Sequence, residues 1–579
     1  MYFSRIIRKD GVKEATRIEA ATYALEVSED SIDVIISGER AARLSPASAV
    51  NTASGNETAF DVPGALELTE GYCGDDYVFT WKTKSSAWEE AEYVLTACET
   101  RCEYYVRVRG RAAVDGVAYF CGDVTSDRAG SEYEFDRGFT PIPTVDGASQ
   151  CYFSAQRDFD EFSFLTIPPM FVYVFELCGA SAKLAFALSA ERGEHNFTKF
   201  AYKTRSGGLL RRFWFETDQC CHTEVDGEWK TPTVMIYGAA SEKEALEYYS
   251  RYYFATGKAD IKEYSKIPRF WYGPIACGWT EQAAYAYSKG INASQYDLAR
   301  RDVYDNFNAE LERRDLHPTL MIIDDKWQTE YGDPYADVSK WSDLRGWIDE
   351  NREVRGRHTM LWFKLWASDG LPDSMCMASE SEYNKRCADP TNPAYRSLLK
   401  KILRRLLSSD EGCYNADGLK LDFAFFQPVG RSAVSHSGKY GVELYLEYLK
   451  FIYTAAKEIK PEAVISASPC HPLFAPYVDH ARLHDYHPDL RRCPEEFDFR
   501  STLYRTALPW SLIDTDGAAF RSQRDTMRYM VSAPKIGIPD LYCISDMPSL
   551  SLSDDDWRCV ANVWREYSGW ADRISGTEA

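Results

Sequence analysis

From Pro268 onward the sequence alternates short apolar runs with amphipathic stripes, and the runs stop at charged residues. Phe270 to Trp279 holds the first run, Thr319 to Ile323 stops at Asp324-Asp325, and His358 to Phe363 stops at Lys364. Gly418 to Leu421 stops at Asp422, and Ala463 to Ser468 is another such run. Weaker ones lie before Asp485, at Trp510 to Asp514 and at Asp540 to Asp546. Between them Tyr395, Leu398, Leu399, Ile402, Leu403, Leu406 and Leu407 mark one face of a helix. Runs too short for helices and apolar on both faces are the strands of a parallel sheet. About eight such β/α units in roughly 310 residues predict a (β/α)₈ barrel over 266–579. A doubly wound open sheet is the competitor, but the glycine-rich loop such sheets place after their first strand is missing.

The preceding residues read differently. Residues 1–238 carry short alternating segments such as Ser31 to Ile36, Tyr104 to Arg109 and Phe171 to Phe175, separated by turn residues. This pattern predicts an all-β domain, a β-sandwich of the supersandwich kind. Over 239–265 a helical linker is expected, opened by a capping box at Ser241 and Glu244 and closed at Gly257. A chain of 579 residues is too long for one core, so this multidomain β plus α/β layout is also what length requires.

Charge narrows the partners. A net charge of −21 repels nucleic acid phosphates and anionic lipid alike. No apolar run approaches the ~18 residues that span a bilayer. The N-terminus lacks a signal peptide's apolar centre, and the sixteen cysteines show no regular spacing. A cytoplasmic protein with reduced thiols is expected, with no membrane, nucleic acid or cofactor partner.

Active sites of barrels lie at the C-terminal strand ends. There the sequence places Trp279, Asp324 with Asp325, Trp362 with Lys364 and Trp366, Lys420 with Asp422, Asp485, Asp514 with Asp516, and Asp546. Lys420 and Asp422 are two apart and share a strand face. A lone aspartate at a strand end is often a helix cap. Recurrence at five strand ends, beside tryptophans, is what glycosidic-bond cleavage needs: one carboxylate at the anomeric centre, another to protonate the leaving oxygen, and aromatic platforms for the sugar.

These residues carry a resemblance. Asp324-Asp325-Lys326-Trp327 resembles the second-strand D-D-x-W signature of the melibiase-like retaining α-glycosidases, glycoside hydrolase families 27 and 36. Lys420-Leu421-Asp422 is similar to their fourth-strand K-x-D motif, and the order sandwich, helical linker, barrel is that of family 36. The resemblance implies an α-galactosidase-like hydrolase with Asp422 as nucleophile and Asp485 as acid/base, with Asp479 the fallback. It implies substrate contacts from Asp324, Asp325, Lys420 and Arg482. Trp279, Trp327, Trp362, Lys364 and Trp366 join them as strand-end candidates. It further implies a small oligosaccharide or α-glycoside substrate, a homo-oligomer, and no metal. The spacing Arg482 to Asp485 is three, where the family has R-x-x-x-D.

Three segments depart from the family pattern. Phe423-Ala424-Phe425-Phe426 stands where an asparagine is usual, Ser466-Ala467-Ser468-Pro469-Cys470 replaces a Cys-Ser-Gly-Gly loop, and Trp362-Phe363-Lys364-Leu365-Trp366 replaces W-F-E-P-E. The sequence ends soon after the last barrel helix, so the family 36 C-terminal β-domain is not expected. Two other readings stay open. His480, His484 and His487 have i, i+4, i+7 spacing, which on a helix would suit a metal-dependent hydrolase. The departures also allow a catalytically inactive, sugar-binding relative.

Overall fold

The computed structural model describes residues 2–7, 14–56, 66–122, 130–142, 151–159, 167–177, 181–207, 210–263, 266–483, 493–517, 522–547 and 551–575. The N-terminal part is an antiparallel β domain whose described strands form one hydrogen-bonded network of 18. Two long strands organise it, Cys102–Tyr119 and Leu210–Lys230, paired from Arg107↔Lys230 to Tyr119↔Phe215. The register shifts between Val114 and Gly116, a bulge that bends the pair. Period-2 patterning decides which side is buried: Cys102, Tyr104, Val106 and Val108 face the core, while Arg107 and Arg109 alternate away from it. Much of this core is aromatic, as at Phe135 and Phe175, whose stacked rings lie 4.1 Å apart.

Helix α1, Glu242–Ala255, has the expected capping box: Glu244 N donates to Ser241 Oγ at 3.2 Å, and the Glu244 carboxylate accepts from Ala240 N at 2.8 Å. Its buried face presents Tyr249, which donates to Leu188 O at 2.9 Å in the β domain and meets His471 Nε2 at 2.8 Å in the barrel. His471 Nδ1 accepts from Leu473 N, so Nε2 carries the proton that Tyr249 receives.

The barrel strands are β1 Ile275–Cys277, β2 Leu320–Ile323, β3 His358–Lys364, β4 Gly418–Asp422, β5 Val464–Ala467, β6 His480–Arg482, β7 Leu512–Asp514 and β8 Asp540–Leu541. All their pairings are parallel, in the order β7-β6-β5-β4-β3-β2-β1-β8. The bridge Asp514↔Ile538 brings β7 to the approach of β8 and closes the ring. The barrel expected from the alternation is therefore the one observed. Helices α2 Gly278–Ser288, α3 Arg301–Arg313, α4 Leu344–Arg355, α5 Pro393–Leu407, α6 Gly441–Ile459, α7 Cys493–Ala507, α8 Gln523–Ile536 and α9 Asp554–Ser575 surround it. The stripe read on α5 is its buried face, apart from half-buried Leu398. Among the described residues no helix is long and apolar enough to cross a membrane.

Charged groups lock the barrel floor. Asp417, just before β4, binds Arg352 at 3.0 Å and Lys460 at 3.1 Å. Asp479, just before β6, binds Lys262 at 2.9 Å, Lys457 at 2.8 Å and Ile465 N at 2.9 Å. At the opposite end, the segment after β4 is fastened to the β domain. His222 Nε2 meets Gly430 O at 3.0 Å, Arg431 pairs with Asp115 at 2.9 Å, and Val442 N donates to Phe197 O at 2.9 Å. Gly441 permits this approach, since its φ is +58° and a Cβ there would lie 2.0 Å from Phe197 O. The β domain thus braces one wall of the barrel mouth.

Candidate active site

Strain gathers at that mouth. Lys326, Trp366, Phe423 and Asp516, with φ of 71°, 63°, 61° and 46°, follow the C-terminal ends of β2, β3, β4 and β7. Each left-handed non-glycine residue costs on the order of 1–2 kcal/mol, a cost that concentrates where a backbone must aim particular groups.

Lys420 is the centre of the interior. Its ammonium, 3% exposed, lies 2.8 Å from Asp324 Oδ2, 3.1 Å from Tyr542 Oη and 3.5 Å from Cys277 Sγ. Burial pushes this ammonium's pKa down; Asp324, first among its neighbours, together with Cys277 and Asp516 more than offsets that and holds the pKa well above the ordinary range. Asp324 is itself fixed: its Oδ2 accepts from Cys277 Sγ at 3.1 Å, its Oδ1 from Asp325 N at 2.8 Å, and its backbone N–H reaches Tyr304 Oη at 2.9 Å. Tyr304 comes this close because residue 278 is glycine; a Cβ there would meet its hydroxyl at 2.0 Å.

Asp422 lies one step further out on the same face and is less buried than Lys420. Its carboxylate accepts from Trp362 Nε1 at 3.0 Å, Arg482 Nη2 at 2.8 Å and Phe423 N at 2.9 Å. Register explains the first contact, since Trp362 and Lys364 of β3 lie opposite Lys420 and Asp422 of β4. Arg482, at the end of β6, is 1% exposed and donates to Asp516 Oδ2 at 3.1 Å with its other Nη. Tyr542 Oη donates to the second Asp516 oxygen, closing a chain from Asp324 through Lys420, Tyr542, Asp516 and Arg482 to Asp422.

Two further carboxyls lie beneath. Burial, with the charge of Asp516 adding to it, pushes Asp514 up to about 7. Burial and the charges of Asp514 and Asp516 push Asp540 well above the carboxylate range. Asp514 Oδ1 accepts from Asp516 N at 2.9 Å, while Oδ2 is buried with no partner among the described residues. An acid with a raised folded-state pKa costs stability as pH climbs from about 4 to about 7, because unfolding releases its proton above the unfolded value. Asp514→Asn keeps the acceptor and removes that slope. Thermal unfolding at pH 5 and pH 8 is expected to show the variant gaining on the wild type at the higher pH; an equal difference at both would contradict a protonated Asp514.

Other expected residues divide. Asp325 is buried, its Oδ1 has no partner among the described residues, and burial pushes its carboxyl up to about 6 against the hydrogen bond from Tyr331. Trp279 is half-exposed on the first turn of α2, edge-on to Tyr296 at 5.5 Å. Trp327 and Trp366 are corrected: both are 0% exposed and present no face to a ligand. Their indoles fix backbone instead, Trp327 Nε1 donating to Trp362 O at 2.9 Å and Trp366 Nε1 to Ala424 O at 3.2 Å. Trp362, 1% exposed, acts through its N–H on Asp422.

Asp479 is also corrected. It precedes β6 at the barrel floor, 0% exposed and held between Lys262 and Lys457, so it cannot serve as acid/base at the mouth. Asp485, His484 and His487 lie outside the described residues. His480 begins β6 and is fully buried, with burial pushing its imidazole down to about 4. Residues 480–482 are strand, so the helical face assumed for a three-histidine metal site does not form there. Sequence reading left Cys277, Tyr304, Tyr331 and Tyr542 out of the site; Asp516 stood beside Asp514 among the strand-end residues but was given no role.

No family model and no curated protein sequence matches the chain. Solved structures do match in fold. An α-N-acetylgalactosaminidase from Bifidobacterium bifidum, a quadruple mutant, aligns with TM-score 0.58 at 11% identity over 96% of this chain and 93% of that one. The galactosidase domain of the α-galactosidase-sucrose kinase AgaSK aligns with TM-score 0.53 at 10% identity, covering 99% and 87%. A cycloalternan-degrading enzyme from Trueperella pyogenes aligns with TM-score 0.50 at 12% identity, covering 96% and 83%. The chain therefore shares the fold of these solved structures, an antiparallel β domain followed by a (β/α)₈ barrel.

Proposed function

We propose that this protein is a retaining α-glycoside hydrolase, α-galactosidase-like, acting by double displacement on small α-glycosides. The observation that carries the reading is the presentation of Asp422. A partly exposed carboxylate at the mouth of a barrel accepts hydrogen bonds from three fixed donors, with the buried Lys420–Asp324 pair beneath it. Donors on both oxygens orient the carboxylate and suit its ionised form. In the first step Asp422 attacks the anomeric carbon while the acid/base, assigned to Asp485, protonates the departing oxygen. In the second step water, deprotonated by the same acid/base, attacks the glycosyl-aspartate ester and frees Asp422. Asp325 accepts hydroxyl hydrogen bonds at the sugar's non-reducing end. Lys420 sets the charge around Asp324 and the floor of the sugar site.

A panel of 4-nitrophenyl α-glycosides with proton NMR of the first-formed sugar tests the reading. Turnover of at least one member with an α-configured product is expected; inert wild-type enzyme or a β-configured product would overturn it. For Asp485→Ala the expected pattern depends on the leaving group. Substrates with poor leaving groups should lose about 100-fold or more in kcat/KM, and 2,4-dinitrophenyl glycosides far less, because only the former need a proton. Equal losses would place the acid/base elsewhere.

A further inference from the structure

Among the described residues, two lysines at the mouth hold no carboxylate in a salt bridge. Lys364 ends β3 opposite Asp422, and Lys326 follows Asp325 after β2. Both ammoniums rest on the ring of Tyr331, Lys326 Nζ at 3.9 Å and Lys364 Nζ at 4.5 Å from its centroid. Lys364 Nζ also lies 4.9 Å from Phe426 and 5.4 Å from Phe423, the residue after Asp422. Among the described residues neither ammonium makes a hydrogen bond or a salt bridge, whereas Lys420, Lys457 and Lys460 each hold a carboxylate at 2.8–3.1 Å. The face of a ring attracts an ammonium but does not neutralise its charge as a carboxylate would. Burial pushes Lys364 down, and the nearby charge of Lys326 pushes it the same way. The carboxylates of Asp369 and Asp325 oppose this from a distance, the first exposed and the second engaged with Tyr331. In a chain of net charge −21, two such cations meeting over one ring, one of them opposite Asp422, form a cationic patch at the mouth.

We propose that the sugar held against Asp422 carries an anionic group, a carboxylate or a sulfate ester, taken by Lys364 and Lys326. This rests on the glycosidase reading above. Because Lys326 adjoins Asp325, the acceptor for the non-reducing end, the anion is placed at C6. The substrate class is then an acidic α-glycoside, with the rings of Tyr331, Phe423 and Phe426 excluding water from the ion pair.

The test uses the full chain and three 4-nitrophenyl substrates: the α-galactoside, the α-galacturonide and the α-galactoside 6-sulfate. Calorimetric binding of galactose, galacturonate and galactose 6-sulfate runs in parallel. The wild type is expected to favour one anionic substrate over the neutral one by about tenfold or more in kcat/KM. Lys364→Met should cut that ratio by about tenfold or more, with Lys326→Met acting in the same direction. The preferred arm distinguishes carboxylate from sulfate. Turnover of the neutral substrate alone, or a preference that Lys364→Met leaves in place, overturns the anion seat and leaves the glycosidase reading standing. Lys364-dependent binding of an anionic sugar without any turnover supports the seat and overturns the glycosidase reading. Neither binding nor turnover overturns both.

Discussion

Asp422→Ala is expected to lower kcat/KM toward an activated α-glycoside by about four to six orders of magnitude, the scale seen when a covalent nucleophile is deleted. Asp422 stands on the strand face that points into the mouth, and its two oxygens are aimed by Trp362, Arg482 and the Phe423 amide. Alanine leaves those donors around a small cavity at the anomeric carbon's attacking face. Sodium azide should enter that cavity, restore turnover of substrates with good leaving groups, and accumulate a β-glycosyl azide, since attack occurs once from that face. Wild-type-like activity in the variant, or a rescued product of α configuration, would remove Asp422 from the nucleophile's role. Circular dichroism and unfolding of the variant should match wild type, because the deleted carboxylate is partly exposed.

The second large effect concerns Lys420. Lys420→Met leaves the buried Asp324 carboxylate without its cation, and breaking a buried pair from one side costs about 3–5 kcal/mol. Denaturant unfolding should show that loss in the barrel's transition. Activity should fall as well, by about 100-fold or more, because Tyr542, which leads on through Asp516 and Arg482 to Asp422, loses its donor. The double variant Lys420→Met/Asp324→Asn separates the two roles. Removing both charges should restore most of the stability, since apolar replacement of a whole pair is often neutral. Activity should stay low. Recovery of both together would mean that the pair serves folding alone.

How far the sequence reading reached depends on what each signal measures. The barrel was legible because parallel strands buried on both faces are apolar throughout, and each stops at a charged residue at its C-terminal end, as at Asp324, Lys364 and Asp422. The capping box at Ser241 was legible because it is a local contact between residues three apart. The indoles were not sorted correctly. A tryptophan near a strand end looks like a sugar platform in sequence, whereas Trp327 and Trp366 point sideways into the barrel wall and bind carbonyls. Asp479 misled for a similar reason: it stands only three positions before Arg482, and the short strand between puts them at opposite ends of the barrel. The His480 spacing suited a helix, and the chain there is extended. Contacts such as Lys420 with Cys277, Tyr542 with Asp516 and Lys326 with Tyr331 leave no periodic trace. They arise from closing the ring, which only the fold supplies.

Trapping the glycosyl-enzyme tests the central claim most directly. An activated 2-deoxy-2-fluoro α-glycoside, matched to whichever sugar the panel shows to be turned over, slows both steps and lets the ester accumulate. Mass spectrometry of the intact chain should then show a single added fluoroglycosyl group, and peptide mapping should place it on Asp422. A label on another carboxylate, or burst-free turnover with no adduct and inversion at the anomeric carbon, would contradict the account.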